Sequence, residues 1–194
     1  MNIKAPYLPI ELIKPHVDEL RSQYPALNKY PINIELFAED IGIEIIPVAG
    51  LIAADTEAFI TQDFLSIVVD AEKYRDDKFY NRLRFSIAHE IGHKFLHQSF
   101  FEHNRGTENS EFGWLNFMNS LSDSQYSFLE QHANNFAGML LVPAEELVRL
   151  VLEENKRDHF VFASYFGVSK QTIERRVTAA DVSAELRDKS DYFK

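Results

Sequence analysis

From Phe85 to His97 the chain reads Phe-Ser-Ile-Ala-His-Glu-Ile-Gly-His-Lys-Phe-Leu-His, and H-E-x-x-H lies inside it. Residues four apart on an α-helix share one face, so His89 and His93 can aim two imidazoles at a single point. That geometry suits a zinc ion, and Glu90 would border the metal, where it could take a proton from water. A helix is the natural setting, because Leu83, Ile87, Ile91 and Phe95 recur every four residues as an apolar stripe. Gly92 leaves one position beside the site without a side chain, at a helix cost of about 1 kcal/mol that needs a reason. Five residues with three fixed letters occur by chance, and an exposed amphipathic helix would carry them equally well. The case for a metal therefore depends on a third ligand.

A second helix supplies a candidate. Ser122-Asp123-Ser124-Gln125 has capping-box spacing and opens a helix that runs to about Leu141, before Pro143. Its inward face is predicted to hold Tyr126, Leu129, Ala133, Phe136, Ala137 and Leu140. Glu130 and Asn134 stand one turn apart on an otherwise small, apolar stripe. A zinc with two histidines needs a third protein ligand and leaves a fourth position for water, which makes Glu130 the candidate. Asn134 could hydrogen-bond one of the histidines and fix its tautomer. His132 is the rival ligand; it points away from this stripe and reads as a surface or cleft histidine. The ligand types suit zinc first and also admit manganese or iron.

The front of the chain predicts a helix over 9–22, strained by Pro15, and a second over 32–42 capped by Asn33, with Leu36, Phe37 and Ile41 inward and Gly42 as its stop. Strands follow at 43–48, 57–61 and 64–70, the last two as a hairpin through Gln62-Asp63. Together they predict a small sheet of about three strands, antiparallel or mixed, packed on a helical body in an α+β fold. The metal-site helix covers roughly 78–98. Residues 99–121 carry loop signals and several aromatics, and read as a long loop that either tucks onto the core or covers a cleft. Pro143 to Glu153 forms another helix. Residues 158–178 resemble a helix-turn-helix, with Ser169 as a cap and Lys170, Arg175 and Arg176 on the second helix. DNA binding competes there with a packing role, which the acidic balance favours. Residues 1–180 read as one domain, and 181–194 as a charged, frayed tail.

The net charge is −10, spread evenly along the chain, which argues against whole-surface affinity for nucleic acid. Cysteine is absent, so a disulfide framework, a thiolate metal site and a cysteine nucleophile are all excluded. That absence also fits a reducing cytoplasm. Neither a signal peptide nor a membrane span is expected.

Taken together, Arg84 to His93 and Glu130-Gln131-His132-Ala133-Asn134-Asn135-Phe136-Ala137 resemble the ImmA/IrrE family of zinc metallopeptidases, and the likeness extends over most of residues 30–180. The resemblance implies metal ligands at His89, His93 and Glu130 and a general base at Glu90. It implies cytoplasmic bacterial or phage proteins, some of which cleave or antagonise a helix-turn-helix repressor, and a packing role for 158–178. The position before Ala133, often acidic in the family, is His132 here. The expected activity is hydrolysis of a peptide bond in a protein substrate, with Tyr126, His103 and His132 as candidates to steady the oxyanion. A non-catalytic anti-repressor or antitoxin-like binder and a DNA-binding regulator are the competing readings.

Overall fold

The computed structural model describes residues 5, 7–51, 57–104, 113–153 and 158–188. Helix α1, Ile10–Gln23, forms on the stripe Ile13, Val17 and Leu20, all buried, and Pro15 does not divide it. Helix α2, Ile34–Asp40, begins at Asn33, whose side chain accepts from the Leu36 N–H at 3.0 Å, and Gly42 ends it with φ +74°. Its buried stripe is Ile34, Phe37 and Ala38. Leu36 lies one residue off that stripe and is exposed, contrary to expectation.

The three expected strands appear as β1 Glu44–Val48, β2 Ala58–Ile60 and β3 Ser66–Asp70, in the order β1-β3-β2. The sheet is mixed: β1 runs parallel to β3, with Glu44 opposite Ser66, and β2 runs antiparallel to it, with Ala58 opposite Val69. Pro47 lies on the edge strand β1, where a missing N–H costs least. The β2–β3 turn has no glycine. Phe64 takes φ +58° instead, and the Asp63 carboxylate accepts from Thr61 Oγ1 at 2.7 Å and from the Leu65 N–H at 3.0 Å. Burial of the Phe64 ring against Phe101 and Trp114 offsets that backbone strain.

Asp70 caps the short helix α3, Ala71–Arg75, and the metal-site helix α4 then runs from Tyr80 to Asn104. Part of the expected 99–121 loop is therefore helix. Residues 99–104 continue α4, and Gly113–Ser120 forms α5, because Trp114, Phe117 and Met118 at helical spacing bury one face. The Arg105-Gly106 and Glu108–Ser110 turn signals and Phe112 lie outside the described residues. Helix α6, Asp123–Leu141, has the expected capping box at Ser122 and Gln125. Tyr126 is half-exposed rather than inward. Helix α7 is Ala144–Glu153.

Helices α8, His159–Phe166, and α9, Lys170–Val177, join through Gly167 in the left-handed region and through Ser169, whose Oγ accepts from the Thr172 N–H at 3.1 Å. Arg176, expected to add to a basic surface, is buried. It reaches the Val142 carbonyl at 2.9 Å and pairs with Asp181 at 2.8 Å, so it serves packing. Within the expected frayed tail of 181–194, the described part differs: Ala180–Asp188 is helix α10, with Val182 and Leu186, one turn apart, buried on it, while 189–194 lie outside the described residues. No described helix is long and apolar enough to cross a membrane.

Arg84 ties these parts together. It is fully buried, and its guanidinium donates to the carbonyls of Ile32, Phe166 and Gly167, linking α4 to the loop before α2 and to the α8–α9 turn. Arg84→Met would keep most of the volume and leave three carbonyls without this donor. It is expected to lower stability by about 3 kcal/mol in urea denaturation, with the helical content of the folded fraction unchanged.

Candidate metal centre

Helices α4 and α6 pack directly on each other, and Gly92 permits it. A Cβ at Gly92 would stand 3.2 Å from the Ala133 Cα and 3.1 Å from the Phe136 ring. The missing side chain thus brings the turn of His89 and His93 up to the turn of Glu130, which is the reason its helix cost required.

The three predicted ligands converge, their donor atoms all within 4.8 Å of one another. His89 Nε2 and His93 Nε2 are 3.0 Å apart, and the two Glu130 oxygens lie 3.4 Å from His89 Nε2 and 3.4 Å from His93 Nε2. A tetrahedral zinc with bonds of about 2.0–2.1 Å has ligand–ligand edges of about 3.3 Å, so the donor set fits that ion. Glu130 remains partly exposed, on the open side of the cleft, whereas His93 is buried.

Each histidine is oriented from behind. His89 Nδ1 lies 3.1 Å from Asn134 Oδ1, the arrangement expected from the Glu130–Asn134 spacing. His93 Nδ1 lies 2.9 Å from His97 Nδ1, and His97 Nε2 lies 3.3 Å from His132 Nδ1. The Leu8 N–H donates to His132 Nε2 at 2.9 Å and closes the chain. These contacts leave Nε2 of His89 and His93 directed at the common centre, and an acceptor such as Asn134 Oδ1 behind the His89 Nδ1–H typically contributes roughly 10- to 100-fold to metal affinity. His132 is therefore not the surface or cleft histidine that its helical angle suggested. It is fully buried, and both ring nitrogens are engaged, so it has none to offer a metal. Sequence reasoning missed His97, although the four-residue spacing from His89 to His93 simply continues to it.

Glu90 is buried beside the candidate ligands, and its Oε2 accepts from the Ile60 N–H of β2 at 2.9 Å. Burial pushes its carboxyl up to about 7, against the opposing pull of His89 and of that hydrogen bond. Burial likewise pushes His93 down to about 4, which keeps its imidazole neutral. His89 goes the other way: burial lowers it, but Glu130 and Glu90 together raise it above its ordinary value. Burial would raise Glu130, yet its bonds to both histidines hold it well below the carboxylate range. Two neighbouring carboxyls are thus split, one held ionised against the histidines and one poised near neutrality. Such a split is what a division between a metal ligand and a proton acceptor would require.

The site opens into a cleft of about 310 Å³ between β2, α4, α5 and α6. Ala58 and Phe59 form its strand wall, Trp114, Leu115 and Met118 of α5 form another, and Tyr126 stands at the α6 side. Helix α5 thus satisfies both readings of the aromatic segment, since Trp114 and Met118 are buried and also line the cleft. Of the other oxyanion candidates, His103 is exposed at the end of α4 and His132 is buried behind the ligands.

No curated protein matches the chain. Residues 75–178 match the IrrE N-terminal-like domain, a peptidase family, and this span contains α4, both ligand turns and α9. That match covers more than half of the sequence, and the chain belongs to the IrrE N-terminal-like, or ImmA/IrrE, family.

Proposed function

We propose that the chain is a zinc-dependent endopeptidase that cuts a protein substrate. The observation that carries this reading is the convergence of His89, His93 and Glu130 beside a buried, proton-accepting Glu90. Bound there, zinc would supply Lewis acidity and lower the pKa of a water molecule to about 7. His89 and His93 would hold it through Nε2, and Glu130 through its carboxylate. Glu90 takes the proton from the attacking water at its carboxylate and returns it to the departing amine. The Ile60 N–H holds that carboxylate in place, and the cleft walls from β2 and α5 restrict water around it. Edge strand β2 can pair an extended substrate by main-chain hydrogen bonds. We take a helix-turn-helix repressor as the substrate class and the cytoplasm as the setting, both as what the family resemblance implies, and the absence of cysteine fits the second. Burial of Arg176 weighs against DNA binding through α9.

The test is elemental analysis of untagged protein, followed by incubation with a helix-turn-helix repressor. About one zinc per chain and chelator-sensitive cleavage are expected. No metal, even after zinc is offered at neutral pH, would overturn the reading.

A further inference from the structure

The cleft does not end at the ligands. A second cavity of about 470 Å³ adjoins it and shares Glu57, Arg82, Phe85, Ser86 and Asn134 with it. Its far wall is α9, from Gln171 and Thr172 in the first turn to Arg175 in the last. A further cavity of about 450 Å³ runs from Glu130 and Asn134 to the same Arg175. Two paths out of the metal centre therefore meet one guanidinium.

The charges there are unbalanced. Glu57, the acid common to the cleft and the larger cavity, is neutralised twice, by Lys73 and by Arg82 at 2.7 Å. Arg176 is closed on Asp181. Lys170 pairs with Glu174 at 3.2 Å, which removes the nearest acid of α9. Among the described residues Arg175 forms no ion pair, and it is exposed to the cavities. An unpaired arginine at the end of a groove stands out in a chain of net charge −10. Its planar fork is built for carboxylates.

We propose that Arg175 binds a carboxylate of the peptide substrate, at a fixed distance along the chain from the bond that is cut. The inference rests on the peptidase reading of the metal cleft. The carboxylate is either an Asp or Glu side chain or a free C-terminus, since both present the same group to the fork.

Zinc-loaded protein incubated with a proteome-derived peptide library, with the new termini read by mass spectrometry, tests this. Wild type should enrich Asp or Glu at one position relative to the cut, or cut at a set distance from the C-terminus. Arg175→Gln should reduce that preference roughly five- to tenfold, Arg175→Lys should restore part of it, and Arg175→Glu should turn it toward Lys and Arg. A C-terminally amidated library separates the two sources: a side-chain preference survives amidation and a terminal one disappears. Absence of any acidic or terminal preference, or the same preference in every variant, overturns the proposal. If wild type cuts nothing, capture of the same library on the zinc-loaded chain decides. Carboxylate-dependent capture that Arg175→Gln loses would sustain the binding site while the peptidase reading falls; equal capture by both would overturn the site.

Discussion

Glu90→Gln is expected to slow peptide hydrolysis about a thousandfold while leaving zinc content at the wild-type level. The amide is nearly isosteric, and its carbonyl oxygen can still accept from the Ile60 N–H, so the cleft keeps its shape. What is lost is a group able to take a proton, and the loss should fall on kcat rather than KM. A pure binding module would keep its effect on a target repressor in this variant, and that result would sink the enzymatic reading. A second readout reports on the same carboxyl without any substrate. Glu90 has a folded-state pKa of about 7, above its ordinary 4.5, because of burial. Its contribution to stability is therefore complete below the ordinary value and lost as pH rises through 7. In metal-free protein, ionised and buried Glu90 should cost roughly 3 kcal/mol at pH 8. Urea denaturation in chelator should then find Glu90→Gln more stable than wild type at pH 8 and similar to it at pH 4. Equal stability at both pH values would mean that Glu90 is not held in the apolar position described.

How far the sequence led depended on the range of the signal. Local signals served well. The Asn33 cap, the Gly42 stop, the Ser122–Gln125 capping box and the Ser169 cap are each settled within four residues, and each helix starts or stops there. The three candidate ligands, whose side chains the fold brings together, could be picked out because two lie on one helical turn and the third lies on an oddly small stripe. Signals that depend on what a residue meets across the molecule were not legible. The exposure of Leu36 follows from which stripe of α2 meets α4. The burial of His132 follows from the return of the N-terminal segment at Leu8 to cover it. The role of Arg84 needs carbonyls from three distant stretches of chain. Helix α5 was obscured by the flanking Gly, Asn and Ser signals, although the Trp114, Phe117, Met118 spacing was available.

Glu130→Ala should weaken zinc binding about a thousandfold. A complete structural zinc site delivers roughly 10–16 kcal/mol, and loss of one of three protein ligands removes a share near 4 kcal/mol. The remaining pair cannot compensate from nearby. His132 has both ring nitrogens engaged, and Asn134 is already turned to His89 Nδ1. The substitution also removes the negative charge that helps to hold the two histidines together at 3.0 Å. Protons should compete with the metal in wild type. His89 sits above its ordinary value, so it gains a proton as pH falls from neutrality and its Nε2 is lost to the metal. Zinc affinity should therefore fall steadily below pH 7, a trend to which His93 adds little because burial holds it neutral down to about 4. Competition titration against a zinc-sensing dye, at several pH values, measures both effects. Wild-type affinity in Glu130→Ala would remove this residue from the ligand set and leave the two histidines with a partner from outside the described residues. Weak binding in the variant, with helical content unchanged, would show that the α6 carboxylate is the third ligand that the H-E-x-x-H helix requires.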